Sequence, residues 1–267
     1  MRTIAFAALA ALASLGLPGT AAALDRMELD IELRVLGMQI GDVTLTSDLA
    51  EAAITSRMDV ATRGMVERLT GFRSEIEAAG RFGAGGDVRP VRFASFYETK
   101  RETREVDVRY GDDGTVEGLA TFKRGVPTDV DVPEHLRHGT LDPLSALFTI
   151  RSWLAEVRDA GPAERRLELF DGRRRYDLDV RLIERRAASF GGGTPVLELI
   201  LDVIPLAGFN EKPGERNDRR LHVLVSDDDL LVPLVIRTAV ADGLDALART
   251  RRVCAVTSER TCRDVAY

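Results

Sequence analysis

Among 267 residues there are only two cysteines, one tryptophan, four tyrosines, three histidines and three lysines. Two cysteines cannot staple a chain of this length, so hydrophobic burial must hold it, and a domain this long can remove about 70 to 75% of its unfolded surface from water. So few Trp and Tyr residues argue against a lipid-facing barrel, which needs aromatic girdles at both interfaces. Charge of one sign is also lacking. The 37 Lys and Arg nearly balance the 43 Asp and Glu, for a net charge of −6. That balance gives no general basic footprint for nucleic acid or anionic lipid, and with 45% hydrophobic residues it excludes a disordered chain. Beyond the N-terminus, no run approaches the roughly 18 to 20 apolar residues of a membrane-spanning helix.

The N-terminus does carry one apolar stretch. Met1-Arg2-Thr3 is followed by Ile4 to Leu17, a break at Pro18-Gly19, and Ala21-Ala22-Ala23. A short positive region, an apolar core and small residues at a cleavage site form a secretory signal peptide. We expect cleavage after Ala23 and release into the periplasm, giving residues 1–23 as signal peptide and 24–267 as a single β-rich domain. Cys254 and Cys262 then read as a disulfide that pins the C-terminal tail, as suits an exported protein.

Alternation of period two dominates the mature chain. Met27, Leu29, Ile31, Leu33 and Val35 alternate with Glu28, Asp30, Glu32 and Arg34, which puts apolar groups on one face of a strand and charges on the other. The pattern returns at Tyr176 to Leu182, Leu197 to Val203, Leu221 to Val225 and Leu234 to Val240. Asp171-Gly172, Gly111 to Gly114 and Asp242-Gly243 read as hairpin turns, and Gly83 to Gly86 and Gly191 to Gly193 as longer loops. One segment differs. Asp142 can cap a helix starting at Pro143, with Leu144, Leu147, Phe148, Ile150, Leu154 and Val157 at helical spacing and a stop at Gly161-Pro162. Met65 to Ala79 fits a helix or a strand; we read a short turn, then a strand. The fold class is mainly β, a single curved antiparallel sheet of roughly ten strands, a half-barrel, wrapped around one central helix.

Leu141-Asp142-Pro143-Leu144-Ser145-Ala146 and, about 25 residues later, Phe170-Asp171-Gly172-Arg173-Arg174-Arg175-Tyr176 stand out. With Gly37 and Gly41, Ala207-Gly208-Phe209 and Val232-Pro233-Leu234, they resemble the domain of unknown function 3108 family. The resemblance covers nearly the whole mature chain and implies an exported bacterial protein. It further implies a fold similar to the half-barrels of the periplasmic lipoprotein carrier and its outer-membrane receptor, with an apolar cleft. It implies no activity, because fold does not fix function.

Asp142, Pro143, Ser145, Asp171, Gly172, Arg174 and Tyr176 are the candidate ligand-binding or motif residues. If Tyr176 points inward, alternation carries Arg174 with it; a charge so placed needs a partner, with Asp142 or Asp171 available, or contacts a ligand. Ser145 lacks the G-x-S-x-G elbow of a hydrolase nucleophile. His135 and His138 could ligate a metal on one helical turn, but no third ligand accompanies them. Asp227 to Asp229 lacks the spacing of a calcium loop. No catalytic signature, metal site or cofactor is expected. The expectation is a non-enzymatic binding or carrier module with a lipid or acyl-chain ligand; the alternative is a structural module docking an envelope protein through Gly83 to Gly86 and Gly208 to Arg216. Neither nucleic acid nor a transmembrane segment enters this reading.

Overall fold

The computed structural model describes residues 24–83, 85–209, 219–240 and 244–267. The signal sequence, Ala84, Asp242-Gly243 and residues 210–216 of the proposed docking loop lie outside them. The first half contributes β1 (Arg26–Val35), β2 (Met38–Leu49), β3 (Ala53–Thr62), α1 (Gly64–Thr70), β4 (Arg73–Phe82), β5 (Val88–Glu98), β6 (Thr103–Tyr110), β7 (Val116–Lys123) and β8 (Val126–Pro127). After α2 (Pro143–Val157) come β9 (Ala163–Phe170), β10 (Arg175–Ala187), β11 (Pro195–Ala207), β12 (Arg219–Ser226), β13 (Pro233–Val240), β14 (Leu244–Val256) and β15 (Arg260–Asp264). All pair antiparallel into one sheet ordered β8-β7-β6-β5-β4-β3-β2-β1-β14-β13-β12-β11-β10-β9, with β15 added beside β14.

The strand count corrects the sequence estimate: fifteen strands, not about ten. Two of the extra strands escape an alternation search for physical reasons. β8 is two residues long, and all five residues of β15 are exposed, so neither carries an apolar face. β15 is held instead by the ladder and by the disulfide, since Cys254 and Cys262 sit directly opposite each other. The ambiguous segment after β3 resolves into the short helix α1, closed by Gly71, followed by β4 with Ser74 and Ala78 buried on one face.

The sheet curls because α2 touches β4 and β5 near one edge and β9 at the other. Its buried residues, Leu144, Ser145, Ala146, Phe148, Thr149, Ile150, Trp153 and Leu154, extend well beyond the single stripe read from spacing. Leu144 and Phe148 join a cluster with Met27, Val88, Phe93 and Val108, while Ile150, Trp153 and Leu154 join another with Leu167, Val180, Leu199 and Val225. A helix enclosed on most sides must be apolar on most sides. Polar anchors fix its depth: Thr149 Oγ1 accepts from Val88 N at 3.1 Å, and Arg151 Nε donates to the carbonyl of Leu230 at 2.8 Å.

The ladder does not close, because β8 and β9 are not paired. The chain leading into α2 spans the seam. Gly139 N donates to Gly114 O at 2.9 Å on the β6–β7 side; Leu141 N donates to Glu168 O at 2.8 Å and Phe170 N to Leu141 O at 2.9 Å on the β9 side. Backbone groups that an open edge would leave bare are thus satisfied by one connecting segment.

Phe148 is 2% exposed and packs in the larger cluster, so Phe148→Ala should cost about 3 to 5 kcal/mol of unfolding free energy. Leu69→Ala, on a helix that buries nothing, should stay within about 0.5 kcal/mol. Urea unfolding of both variants measures the contrast; equal losses would mean that α2 is not the centre of the core.

Candidate functional site

The two motif stretches, separate in sequence, meet at the seam. Asp142 caps α2: its Oδ1 accepts from Leu144 N and Ser145 N, both at 2.9 Å, and its Oδ2 accepts from Ser145 Oγ. Pro143 occupies the first helical position, where a missing N–H costs nothing. Asp171 plays the parallel role in the β9–β10 turn, its Oδ1 accepting from Arg173 N at 2.9 Å and Arg174 N at 2.6 Å. Gly172 has φ +83°, and a Cβ there would fall 2.1 Å from Val106 Cγ1 of β6. Only glycine lets this turn lie against the opposite side of the seam. Gly208 is the same case: at φ +77° a Cβ would meet the carbonyl of Arg173 at 2.1 Å. Ala207-Gly208-Phe209 thereby packs on the turn.

Two tyrosines complete the cluster. Tyr110, at the end of β6, is buried and directs its hydroxyl toward Phe170 O at 3.5 Å. The ring of Tyr176 meets Phe209 edge-on, with centroids 6.3 Å apart. Burial pushes the Asp142 and Asp171 carboxyls up from their ordinary range, against the N–H and hydroxyl donors that pull them down. Burial likewise pushes both phenols up, and the charges of Asp142 and Asp171 add to it. The result is a water-poor group of four acids whose carboxylates hold backbone in place.

Arg174 requires correction. It is exposed, and its guanidinium lies over the ring of Phe209, 5.4 Å from the centroid. Neither Asp142 nor Asp171 pairs with it. The buried arginine is Arg175, 3% exposed, which donates to Asp177 Oδ1 at 2.7 Å, to Glu168 Oε2, and to the carbonyls of Tyr176 at 2.8 Å and Leu136 at 3.1 Å. Alternation misplaced the charge because β10 begins only at Arg175; Arg174 belongs to the turn, and a register shift follows between Arg175 and Tyr176. Sequence reading also passed over Tyr110, although it continues the buried series Val106, Val108 on β6.

The other candidates have local occupations. Ser145 Oγ is engaged with Asp142, inside the cap. His138 Nδ1 accepts from Val116 N at 3.0 Å, fastening the seam segment to β7, and His135 is exposed in a single helical turn, Glu134–Leu136. Asp228 caps the β12–β13 turn through Leu230 N at 3.0 Å.

The carboxyls carry a pH dependence. With folded-state pKa values raised above about 4, their ordinary position, Asp142 and Asp171 hold protons that the unfolded chain releases. Their support for the fold is complete below pH ~4 and is lost as pH rises through the raised values. Asp142→Asn keeps the acceptor for Leu144 and Ser145 but cannot ionise. Its stability relative to the parent should therefore improve from pH 4 to pH 8 in urea titrations; a difference independent of pH would show Asp142 to be unshifted. Arg175→Ala, which orphans Asp177, should cost about 3 kcal/mol, and Arg174→Ala, losing one exposed cation–π contact, no more than about 1 kcal/mol.

No curated protein matches the chain. Among solved structures it is similar to a β-barrel-like protein of domain of unknown function DUF1849 from Brucella abortus, at 12% identity and a TM-score of 0.47, covering 91% of this chain and 100% of that one. It is also similar to a DUF1089 family protein from Pseudomonas aeruginosa, at 10% identity and a TM-score of 0.34, covering 72% and 87%. A family model described as protein of unknown function (DUF3108) matches residues 28–249. The residues that converge on the seam, from Asp142 to Gly208, all fall inside that match, and the chain belongs to the DUF3108 family.

Proposed function

We propose that the protein is an exported, periplasmic, non-enzymatic binding or carrier module that takes a lipid-like or acyl ligand in an apolar cleft at one end of the curled sheet. The observation that carries this reading is a gradient of burial along the inner face. Where α2 lies, the apolar side chains are fully covered, as with Met27 and Leu29 on β1 or Leu197 and Leu199 on β11. Toward the end that holds the β1–β2 turn and α1, the same strands continue with Ile31, Leu201 and Val203, which are only half-buried, as are Met58 and Leu221 on other strands. The helix is 15 residues long, about 22 Å at 1.5 Å per residue, and points its C-terminus to the opposite end, where Arg158 Nη1 reaches Asp228 O. It leaves that end of the apolar wall less covered than the rest.

An apolar wall with polar groups at its mouth suits an amphiphile. Near that mouth, Glu102 accepts from the Tyr97 hydroxyl at 2.8 Å and from Arg104 at 3.0 Å, contacts that hold its carboxyl down at about 2. Export is supported by the Met1 to Ala23 pattern and suits the Cys254–Cys262 bond. The motif acids fit a non-enzymatic role, since the carboxylates of Asp142 and Asp171 are spent on backbone N–H groups.

Native mass spectrometry of the protein recovered from a periplasm, followed by solvent extraction, tests the reading. A mass lacking residues 1–23 with a discrete hydrophobic adduct is expected, and Leu201→Arg should reduce the adduct at least tenfold. A clean apo mass that added lipids do not change, together with capture of one envelope protein, would replace the carrier by an interaction module.

A further inference from the structure

Residues directly opposite each other on antiparallel strands share a face. Glu198 on β11 faces Leu224 on β12, and Leu224 faces Val235 on β13, so Val196, two residues before Glu198, stands with them on the outside of the sheet. Elsewhere that outer face carries ion pairs such as Arg166 with Asp179 and Arg220 with Asp202. Here it is apolar, yet Val196 is 0% and Val235 9% exposed. α2 packs on the inner face, against Leu197 and Leu199, so another part of the chain must cover them.

Two segments do so. The β10–β11 turn supplies Ala188 and Phe190, and the residues after β15 supply Val265 and Tyr267. The rings of Phe190 and Tyr267 stand 4.8 Å apart, and the Arg249 guanidinium lies 5.0 Å from the Tyr267 centroid. The Tyr267 hydroxyl reaches two carbonyls, Leu234 O at 2.6 Å and Thr250 O at 2.8 Å, and Val265 N donates to Arg251 O at 2.8 Å. Residues 260–267 are thus a strap across the outer face, seated at its far end by one aromatic ring.

The near end is held less securely. All five residues of β15 are exposed, and the strand pairs with β14 alone. Its ion pairs, Arg252 with Asp264 at 3.1 Å, Arg260 with Glu28 at 2.6 Å and Arg263 with Asp228, stand in reach of water and contribute little each. A short ribbon with no buried face is marginal. The disulfide makes up the difference: its cysteines are 8 positions apart, and closing so short a loop favours the paired hairpin by roughly 50- to 100-fold. Cys254 is 2% exposed, whereas Cys262 is open to solvent, and exposed disulfides are the ones that exchange readily.

We propose that Cys254–Cys262 is a redox clasp: a dithiol reductant opens it, and the strap from Arg260 to Tyr267 then leaves the outer apolar patch. A thiolate of the dithiol attacks Sγ of Cys262, forming a mixed disulfide and expelling the Cys254 thiolate, which takes up a proton. The second thiolate of the reductant displaces Cys262, which leaves as a thiolate and is protonated in turn, and the reductant ends as a disulfide. Two electrons and two protons have passed to the protein. Without the bond, Tyr267 loses the constraint that keeps it seated, and Val196, Leu224 and Val235 lose part of their cover. The clasp lies on the outer face and works with or without a ligand in the inner cleft.

Hydrogen exchange of the purified protein, oxidised and after treatment with dithiothreitol, tests the clasp. Reduction should speed exchange in residues 260–267 by roughly 50- to 100-fold, and in residues 188–194, which lean on Tyr267, by at least about fivefold, with α2 unchanged. Cys262→Ser, at an exposed position, should show the reduced pattern with no reductant present, and thermal unfolding should show it folded. An unchanged tail, or a faster tail with residues 188–194 untouched, would mean that the bond does not seat Tyr267. Faster exchange throughout the chain, α2 included, would make the bond a staple of the whole fold. Each of these results would overturn the proposal.

Discussion

The structure depends on how its open seam is shut. A curled antiparallel sheet whose edge strands do not pair leaves N–H and C=O groups bare and lets water into the core. Here the segment from Gly139 to Asp142 hydrogen-bonds to Gly114 on one side and to Glu168 and Phe170 on the other, then turns inward as α2. Asp142 stands where closure becomes helix. Its carboxyl is fully buried and compensates that cost by satisfying two N–H groups and a hydroxyl at the helix start. Asp171, only partly buried, does the same on the facing turn, and the two glycines at 172 and 208 let the backbones approach closely.

From that closure follows the asymmetry of the interior. Because the helix is anchored at the seam and by Thr149, Arg151 and Arg158 to the far turns, it fills one part of the curl and leaves the rest lined by half-buried Ile31, Met58, Leu201 and Val203. Exposed apolar area that a fold could have covered is unfavourable in water. Its retention is the physical argument for the proposed ligand.

Arginine supplies 34 of the 37 basic residues, and it is used in three ways. On outer strand faces it forms cross-strand ion pairs such as Arg166 with Asp179 and Arg220 with Asp202, each of small net effect because water competes. Arg175, by contrast, is enclosed and saturated by two carboxylates and two carbonyls. Others, such as Arg124 and Arg174, have a backbone carbonyl or an aromatic ring for company. Composition alone makes these populations look alike; only their neighbours separate them.

The strands beginning at Arg26, Arg175, Pro195, Arg219 and Pro233 and the capped helix at Asp142 were legible from period and cap chemistry, because those patterns are set by neighbours along the chain. Short strands without an apolar face, β8 and β15, were not legible, since pairing alone makes them strands. The site was half legible. Asp142, Pro143, Ser145, Asp171 and Gly172 stood out in the sequence as motif residues, but that their two stretches meet at the seam is seen only in the fold, and the buried charge is Arg175 rather than Arg174, because where a turn ends and a strand begins is decided by pairing with β9 and β11. By itself the sequence determined a β-rich chain with one apolar helix, a terminal cysteine pair and arginine as its cation. Tertiary structure alone decided which edges meet and which carboxyls are dry, because those depend on contacts between residues tens to hundreds of positions apart.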